Sequence, residues 1–155
     1  QWFPRRTEIN VVIEAPIIER LAREGVLIIA CGGGGIAVEE LDNGELHALE
    51  AVIDKDRASA LLAIQMKAEL LMIPTGVPRV AIRFGQPDET WLDRITVTQA
   101  EQYAAEGHFG AGSMGPKIEA LLNFVKGRPG GRGVITNAEN IARALRGETG
   151  TWIEG

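Results

Sequence analysis

The chain has few of the features that nucleic-acid-binding or membrane-spanning proteins need. Aromatic side chains make up 5% of its 155 residues, the net charge is −5, and the basic residues are scattered along the sequence. Neither a stacking platform for bases nor a basic patch for phosphate backbones is therefore expected. No apolar run approaches the ~18 residues that a membrane-spanning helix requires. We therefore expect a soluble globular protein with no nucleic-acid or membrane partner.

Cysteine is also scarce, because Cys31 is the single one in the sequence. An intramolecular disulfide is thus excluded, and no signal peptide pattern opens the chain, so a cytoplasmic location is expected. The opening letters QWFPRRTE contain no initiator methionine. We expect from this that the chain is processed or trimmed.

What the sequence does have is an alternation of apolar strand-like runs with amphipathic helices. Hydrophobic residues make up 45% of the chain, enough for one domain over residues 1–155 with a sizeable core. Most predicted strands are apolar throughout, which is typical of strands buried on both faces. The pattern predicts an α/β fold with a mostly parallel sheet covered on both faces. The predicted strands are Glu8–Val12, 26–31, 69–73, 79–84, 133–136 and an edge strand at 151–154.

Capping and turn signals mark the helices between these strands. Helices are predicted at 16–25, 56–67, 98–107, 116–126 and 139–147. Pro16 suits a first helical position, and Thr98 with Glu101 and Thr136 with Glu139 have the spacing of capping boxes. The turn residues Asp42 to Gly44 favour a hairpin over a helix in that region.

Four consecutive glycines, Gly32, Gly33, Gly34 and Gly35, follow the apolar run 26–31. They do not form a Walker A loop, because no Lys-Ser or Lys-Thr follows at the required spacing. With Ala37, and with Asp54 further on, they do match a dinucleotide fingerprint, but that motif must open a helix and a hairpin is predicted here. The alternatives are a flexible connection to the hairpin, or a close approach by a ligand or another backbone, which we favour because glycine weakens local order.

Two of the four lysines stand at predicted helix starts, where the helix dipole disfavours a cation. These are Lys55 and Lys117. Helix N-termini bind anions, and a lysine beside one adds a full charge suited to phosphate. The pair therefore indicates a phosphoryl ligand.

The letters IDKD place Asp54 and Asp56 on either side of Lys55. One interpretation is a helix start with aspartate caps. The other is that Asp56 holds two lysine ammonium groups, which then neutralise a phosphoryl group during transfer.

Cys31 could act as a nucleophile with His47 or His108, but no spacing supports a triad, and a buried structural thiol is favoured. The two histidines lack the clustering of a metal site, so no structural metal is expected.

Several segments together resemble the carbamate kinases of the amino acid kinase family. The resemblance extends from about residue 14 to 154 and is to the C-terminal, nucleotide-binding half of those enzymes. It rests on GGGGI, EAVIDKDRASALLA, TGVP, AEGHFGAGSMGPKIEALLNFV and GGRGVIT, which agree in order and spacing.

This resemblance implies a three-layer αβα sandwich of the amino acid kinase type, here as one nucleotide-binding domain over residues 1–155. It implies phosphoryl transfer between ATP or ADP and carbamate or carbamoyl phosphate, as in arginine and carbamoyl phosphate metabolism, with Mg²⁺ arriving on the nucleotide. Family analogy also suggests a homodimer.

The resemblance also implies roles for individual residues. Lys117 and Lys55 would contact the transferred phosphoryl group, and Asp56 would organise them. The four glycines Gly32, Gly33, Gly34 and Gly35 would line the substrate side. The nucleotide would be bordered by Asp54, Thr75, Gly76, Val77, Phe84, Gly112, Ser113 and Met114.

The sequence departs from the family at several points. A full kinase of this type is about twice as long, and its N-terminal, carbamate-binding half is not matched here, so a separate or missing N-terminal partner is expected. Ala37 stands where a proline is usual, and Pro74 removes a backbone donor near the nucleotide loop. The alternative function is therefore a non-catalytic nucleotide-binding module of the same fold.

Overall fold

A computed structural model describes residues 5–6 and 9–155 of the chain. The chain divides into two compact units, Gln1–Met66 and Lys67–Gly155, here called unit 1 and unit 2. Among the described residues, no helix combines the length and apolarity that a membrane crossing demands.

The described residues of unit 1 form two helices and short strands that pair two by two. β1 and β4 form one parallel pair, and β2 and β3 form an antiparallel hairpin. The hairpin closes through Asn43, whose side chain accepts a hydrogen bond from the backbone N–H of Glu45, and Gly44 has a positive φ of 83°. The predicted hairpin is thus confirmed. The elements are β1 (Arg5–Arg6), α1 (Ala15–Arg23), β2 (Val38–Glu40), β3 (Leu46–Ala48), β4 (Ala51–Val52) and α2 (Lys55–Gln65).

The first two predicted strands are wrong in unit 1. Residues 9–12 form no strand, and Glu8 lies outside the described residues. The reason is that the backbone N–H of Val12 donates to the side-chain oxygen of Gln65 (2.8 Å) instead of to a neighbouring strand. Residues 26–31 also form no strand, because no described strand lies beside them to complete a ladder. Apolar content alone does not make a strand when no partner is present.

Unit 2 is built on a four-stranded mixed sheet. Its order is β5-β9-β10-β8, with β5 parallel to β9, β9 antiparallel to β10, and β10 parallel to β8. A second pair, β6 with β7, forms an antiparallel hairpin. The elements are β5 (Leu70–Thr75), β6 (Val80–Ile82), β7 (Thr90–Leu92), β8 (Arg94–Thr96), α3 (Val97–Ala105), α4 (Met114–Gly127), β9 (Arg132–Asn137), α5 (Ile141–Leu145) and β10 (Thr151–Glu154).

Three details of unit 2 differ from the predictions. β10, predicted at the edge, lies between β9 and β8, and its side chains at Thr151, Trp152 and Ile153 are buried, as is typical of a central strand. β7 and β8 were not predicted. Their β-branched residues lie in the short stretch 90–96, where the charged residues Asp93 and Arg94 interrupt the apolar pattern.

Both predicted capping boxes are also wrong. The α3 box uses Thr96 and Gln99, two residues before the predicted pair, because this Thr-x-x-Gln spacing satisfies the same rule. Thr136 caps nothing. It lies inside β9, and Asn137 precedes a 3₁₀ turn at Ala138–Asn140. The last helix is correspondingly short.

The core of unit 2 lies where α4 packs on the sheet. Ile118, Leu121 and Phe124 of α4 are fully buried, as are Val134 and Ile135 of β9. At Gly133 an added Cβ would lie 3.1 Å from the Leu121 side chain, so glycine is what allows the helix to approach the strand this closely.

A buried hydroxyl joins the β6–β7 hairpin to β10. The side-chain oxygen of Thr151 accepts a hydrogen bond from the backbone N–H of Val80 (2.8 Å) and donates one to the carbonyl oxygen of Leu92 (2.5 Å). One side chain therefore satisfies a backbone group on each strand of the hairpin and fixes it beside the main sheet.

Candidate functional site

The glycine run forms a tight turn in unit 1. Gly32, Gly34 and Gly35 have positive φ angles of 44°, 137° and 113°. A Cβ at Gly34 would lie 1.9 Å from the carbonyl oxygen of Ile53, so only glycine fits at this position. The expectation that another backbone approaches the run is confirmed at Gly34. The turn leads into β2 rather than a helix, so the dinucleotide fingerprint lacks the helix start that it requires.

The start of α2 places one lysine and two aspartates together in unit 1. The Asp54 carboxylate accepts hydrogen bonds from the backbone N–H groups of Asp56 (2.9 Å) and Arg57 (3.1 Å), which makes it the N-cap. The aspartate-cap interpretation is therefore confirmed for Asp54. Its carboxylate is used locally, and the residue itself is exposed.

Asp56 differs from Asp54 in being buried, with 8% of its surface exposed. Its carboxylate lies 3.8 Å from the ammonium nitrogen of Lys55, whose side chain is mostly exposed. A buried carboxylate in the first turn of a helix is stabilised by the helix dipole and by nearby cations. The structure thus brings Lys55 and Asp56 into ion-pair contact, with the lysine able to reach solvent.

The entrance to α4 in unit 2 is a glycine-rich loop that carries the predicted nucleotide residues. Gly112 and Ser113 are exposed, and Ser113 precedes the helix without capping it through its side chain. The carbonyl of Gly110 accepts hydrogen bonds from the N–H groups of Ser113 (3.2 Å) and Gly115 (2.9 Å), which closes the loop onto the helix start. Met114 begins α4, two residues before the predicted start at Pro116. Lys117 lies in the first turn, as predicted, and its side chain is half-buried.

The entrance to α4 lies towards the carboxyl ends of β5 and β9. The connection from Gly127, at the end of α4, to Arg132, at the start of β9, is short, so helix and strand run in opposite directions. The contact of Leu121 with Gly133 fixes them against each other. The N-terminal turn with Lys117 is therefore on the side where β9 ends, which is where ligands bind in α/β sheets.

Thr75, at the end of β5, belongs to the same edge. It is paired with Asn137, the last residue of β9, and Gly76 and Val77 follow it in a loop. Asn137 accepts a hydrogen bond from the side chain of Asn140 (2.6 Å). Sequence reasoning did not single out Asn137. This residue follows the predicted strand 133–136, just as Thr75, Gly76 and Val77 (here called the Thr75 loop) follow the predicted strand 69–73.

Phe84 follows β6 and is 65% exposed. Its ring meets that of Trp91 edge to face, with centroids 6.2 Å apart. The loop between β6 and β7 is held by an ion pair of Arg83 with Asp88 (3.0 Å) and by the Glu89 carboxylate, which accepts from the N–H of Gly85 (2.7 Å). An exposed aromatic ring on a braced loop is able to contact a flat ligand.

The remaining candidates are a thiol and two histidines. Cys31 is half-buried, less than predicted, and has a positive φ of 64°. Burial, followed by the nearby Glu14 carboxylate, raises the pKa of its thiol. His47 is exposed in β3, whereas His108 packs on Tyr103 and lies 3.0 Å from Glu106. Hydrogen bonds from Gln102 first, and from His108, lower the pKa of Glu106. The raised thiol pKa gives no support to a nucleophilic role.

The predicted site residues therefore fall into two groups. Unit 1 carries Asp54, Lys55, Asp56 and the glycine turn, and unit 2 carries Lys117, the Thr75 loop, Phe84 and the α4 entrance. Within residues 5–6 and 9–155, no group of three or more His, Cys, Asp or Glu side chains has an arrangement that could hold a metal ion.

Comparison with known proteins gives a consistent result. The sequence profile of the amino acid kinase family matches residues 3–137. The chain is 48% identical over 141 residues to the carbamate kinase of Thermococcus kodakarensis, covering 91% of this chain and 44% of that protein. It is 50% identical over 143 residues to the carbamate kinase of Thermoplasma volcanium, covering 92% of this chain and 46% of that protein.

Solved structures agree. The carbamate kinase of Giardia lamblia bound to AMP-PNP matches with a TM-score of 0.86 and 37% identity, covering 92% of this chain and 44% of that one. The predicted fold class, an α/β sandwich of αβα type with a mostly parallel sheet, is confirmed by this match. The chain spans less than half the length of these relatives. With the family profile matching most of its residues, the chain belongs to the amino acid kinase family.

Proposed function

We propose that the chain is the nucleotide-binding part of a carbamate kinase-type phosphotransferase, which moves a phosphoryl group between ATP or ADP and carbamate or carbamoyl phosphate. The observation that carries this proposal is the pair of lysines at the starts of α2 and α4, one of which is in ion-pair contact with the buried Asp56. The carbamate kinases that the chain resembles over nine-tenths of its length supply the substrate class.

In the proposed reaction, an oxygen of the ADP β-phosphate attacks the phosphorus of carbamoyl phosphate. The bond between that phosphorus and the carbamate oxygen breaks, and carbamate leaves with the electron pair. Such a transfer needs in-line positioning and charge stabilisation rather than a protein nucleophile or a strong base. Lysine side chains at helix N-termini meet this need.

Each residue has a distinct part in this proposal. Lys117 and Lys55 neutralise the oxygens of the transferred phosphoryl group, and Asp56 positions their ammonium groups. The half-buried Lys117 is held by the first turn of α4, whereas the exposed Lys55 side chain is able to adjust to the ligand. The glycine turn 32–35 lines the substrate side.

The nucleotide is proposed to bind at the carboxyl edge of β5 and β9. The loop after Thr75 and the entrance at Gly112, Ser113 and Met114 offer glycine-rich backbone that a phosphate can approach, and Phe84 offers an apolar ring to the base. Asn137 adds an amide at the same edge. Mg²⁺ fits as an ion carried by the nucleotide phosphates, because the described residues contain no acidic cluster that would bind it alone.

The test uses a chimera in which this chain replaces the matching residues of the Thermococcus kodakarensis enzyme. ATP formation from carbamoyl phosphate and ADP is measured by a coupled assay. Replacing Lys117→Ala should lower kcat by about a hundredfold or more, as expected when a charge that stabilises the transition state is lost. Lys55→Ala should also lower kcat.

Matched controls come from the other two lysines. Lys126 lies in the last turn of the same helix α4 and pairs with Glu101 on the surface, so Lys126→Ala should leave kcat unchanged. Lys67 is exposed just after the end of α2, so Lys67→Ala is the matched control for Lys55→Ala and should also leave kcat unchanged. Turnover that survives Lys117→Ala at the level of the Lys126→Ala control contradicts the assigned role.

A second candidate is a nucleotide-binding module of the same fold without phosphoryl transfer. Titration of the chain itself with Mg²⁺–ADP by calorimetry separates the two. Saturable binding together with an inactive chimera supports the module. The absence of binding contradicts both functions.

A further inference from the structure

The end of helix α3 folds the residues that follow it into a fixed turn. The N–H of Gly107 donates to the carbonyl oxygen of Ala104 (3.1 Å), and the N–H of His108 donates to the carbonyl oxygen of Tyr103 (3.0 Å). With Gly107 at a positive φ of 78°, these two bonds form a Schellman motif. The motif turns the chain so that the His108 ring lies back on the helix.

The His108 ring is held there by two contacts. It meets the ring of Tyr103 at an angle, with centroids 5.9 Å apart, and its Nε2 atom lies 3.0 Å from the Glu106 carboxylate. The other oxygen of that carboxylate accepts a hydrogen bond from the side chain of Gln102 (2.8 Å). The His108 side chain is 20% exposed. These four side chains, here called the His108 cluster, fix the orientation of the imidazole.

The His108 cluster is joined to the loop at the entrance of α4 by a single residue. This residue is Phe109, which is buried. The next one, Gly110, has the carbonyl oxygen that accepts from the N–H groups of Ser113 and Gly115. We call residues 110–114 the entrance loop. Because close-packed side chains transmit a displacement rather than absorb it, the position of His108 sets the position of this loop.

The His108 cluster also interacts with the second loop of the proposed nucleotide site. Arg83 precedes Phe84 in the loop between β6 and β7. Among the causes that lower the pKa of Glu106, the hydrogen bond from Gln102 is the largest, His108 follows, and the positive charge of Arg83 comes last. Arg83 is therefore close enough for its charge to act on Glu106. The cluster thus contacts one loop of the proposed site through the backbone and the other through charge.

We propose that His108, held by Glu106 and Tyr103, is a positioning residue for nucleotide binding, because it fixes the entrance loop in the conformation that receives the nucleotide. It acts through the loop and not by contact with the nucleotide. The inference rests on the proposed function, since it takes the entrance loop to border the nucleotide. The alternative is a helix stop that contributes to stability alone.

The two roles differ in the kinetic constant that a variant changes. When only a fraction of the molecules has the loop in place, the apparent affinity for the nucleotide falls in proportion to that fraction. Bound nucleotide then selects the aligned loop, so turnover at saturation is preserved. A helix stop that matters for stability alone would instead lower the amount of active protein, and hence the apparent kcat, without changing KM.

The first experiment measures KM for ADP and kcat in the chimera with the Thermococcus kodakarensis enzyme. His108→Phe keeps a ring on Tyr103 but cannot bond to Glu106, and it should raise KM about tenfold with kcat changed less than about twofold. His108→Gln keeps an N–H donor at a similar distance from the backbone and should restore most of the affinity. A lower kcat with unchanged KM in His108→Phe overturns the proposal.

A matched pair of glutamates tests the partner of His108. Glu106→Gln should raise KM in the same direction, since it weakens the contact that orients the ring. Glu148 is also an exposed glutamate whose pKa is lowered, first by a hydrogen bond from Arg146, but it follows α5 and contacts neither loop. Glu148→Gln should therefore leave KM unchanged. Equal KM values for Glu106→Gln and Glu148→Gln contradict the role of Glu106.

A second measurement needs no turnover and uses the isolated chain. Without nucleotide, the amides of Ser113 and Gly115 should exchange hydrogen about tenfold faster in His108→Phe than in the parent, because the loop that they close is less often in place. Amides of β10, which is paired on both sides, serve as the control for an intact fold. Equal exchange at Ser113 and Gly115 in the two proteins overturns the proposal.

Calorimetric titration with Mg²⁺–ADP then separates this inference from the proposed function. Weaker binding by His108→Phe than by the parent chain supports the positioning role. Faster loop exchange together with unchanged binding overturns the positioning role and leaves the proposed function standing. A parent chain that does not bind Mg²⁺–ADP contradicts the proposed function and, with it, the positioning role.

Discussion

Unit 1 and unit 2 use their apolar residues in opposite ways. In unit 2, large side chains such as Phe124, Ile118 and Leu121 are fully buried between α4 and the sheet. From residue 9 onwards in unit 1, the buried apolar residues are almost all alanines, while Leu27, Ile29 and Ile36 are among the most exposed side chains. Apolar side chains thus build a core in unit 2, whereas those described in unit 1 leave an open apolar surface.

This difference in the burial of large apolar side chains indicates which unit contributes most to the stability of the chain. Burial of large apolar side chains is the dominant favourable contribution to folding. Unit 2 has a four-stranded sheet to pack against, whereas the strands described in unit 1 pair two by two over two or three residues. Isolated two-stranded pairs are marginal in water. Unit 2 should therefore dominate the stability of this chain.

The largest expected effect is at the centre of the unit 2 core. Phe124→Ala should lower the free energy of unfolding by about 3–5 kcal/mol, because it removes a fully buried ring and leaves a cavity. Urea denaturation followed by circular dichroism measures the loss. Leu27→Ala in unit 1 is the matched control and should change stability by less than about 0.5 kcal/mol. Comparable losses in the two variants would break the contrast between the units.

Two buried threonines on neighbouring strands of unit 2 give the next effect. Thr151→Val should cost about 1–3 kcal/mol, because it leaves the N–H of Val80 and the carbonyl of Leu92 without a partner. Thr136 is equally buried, but its hydroxyl has no hydrogen-bond partner in the structure. Thr136→Val should therefore be neutral or slightly stabilising. A loss in Thr136→Val equal to that in Thr151→Val would contradict the difference between the two hydroxyls.

Sequence reasoning predicted the elements that carry their own local signals. Helices α1 and α4, strand β5 and the β2–β3 hairpin were recognisable from proline, glycine and apolar periodicity, and all of them form. Segment 26–31 was not predictable in the same way. Its apolar run is as strong as that of β5, but β5 has β9 beside it and 26–31 has no described strand. Strand formation depends on a partner that local sequence does not contain.

The candidate site was predictable to a similar extent. The positions of Lys55 and Lys117 at helix starts followed from capping and turn residues, and the structure confirms both positions. The roles of these lysines came from the family resemblance and stay a prediction. Asn137 was missed because its place depends on the register of β5 with β9, which brings it beside Thr75. Register is a tertiary property.

A smaller effect compares helix caps in the two units. Asp54→Ala removes the cap of α2 in unit 1, and Thr96→Ala removes the cap of α3 in unit 2. Each should cost about 1 kcal/mol, because caps act locally and do not depend on the surrounding core. Faster hydrogen exchange at the amides of Asp56 and Gln99 reports the two losses. Strongly unequal losses would show that the units differ in local helix signals as well as in packing.

The smallest expected effect concerns Cys31, next to the glycine turn of unit 1. It tests how far the folded chain shields this thiol from solvent. Burial and the Glu14 carboxylate raise the pKa of this thiol, so the folded chain holds the proton more tightly than the unfolded chain. The rate of alkylation by iodoacetamide should therefore rise with pH at a higher midpoint in the folded chain than in urea. By linkage, ionisation of Cys31 in strongly alkaline solution lowers the stability of unit 1.

The variant Glu14→Gln should lower the pH midpoint of alkylation in the folded chain part of the way towards the unfolded value. The shift is partial because burial is the larger cause of the raised pKa and persists in the variant. A folded midpoint at or below the unfolded one would mean that the thiol is more open to solvent than its half-buried position indicates.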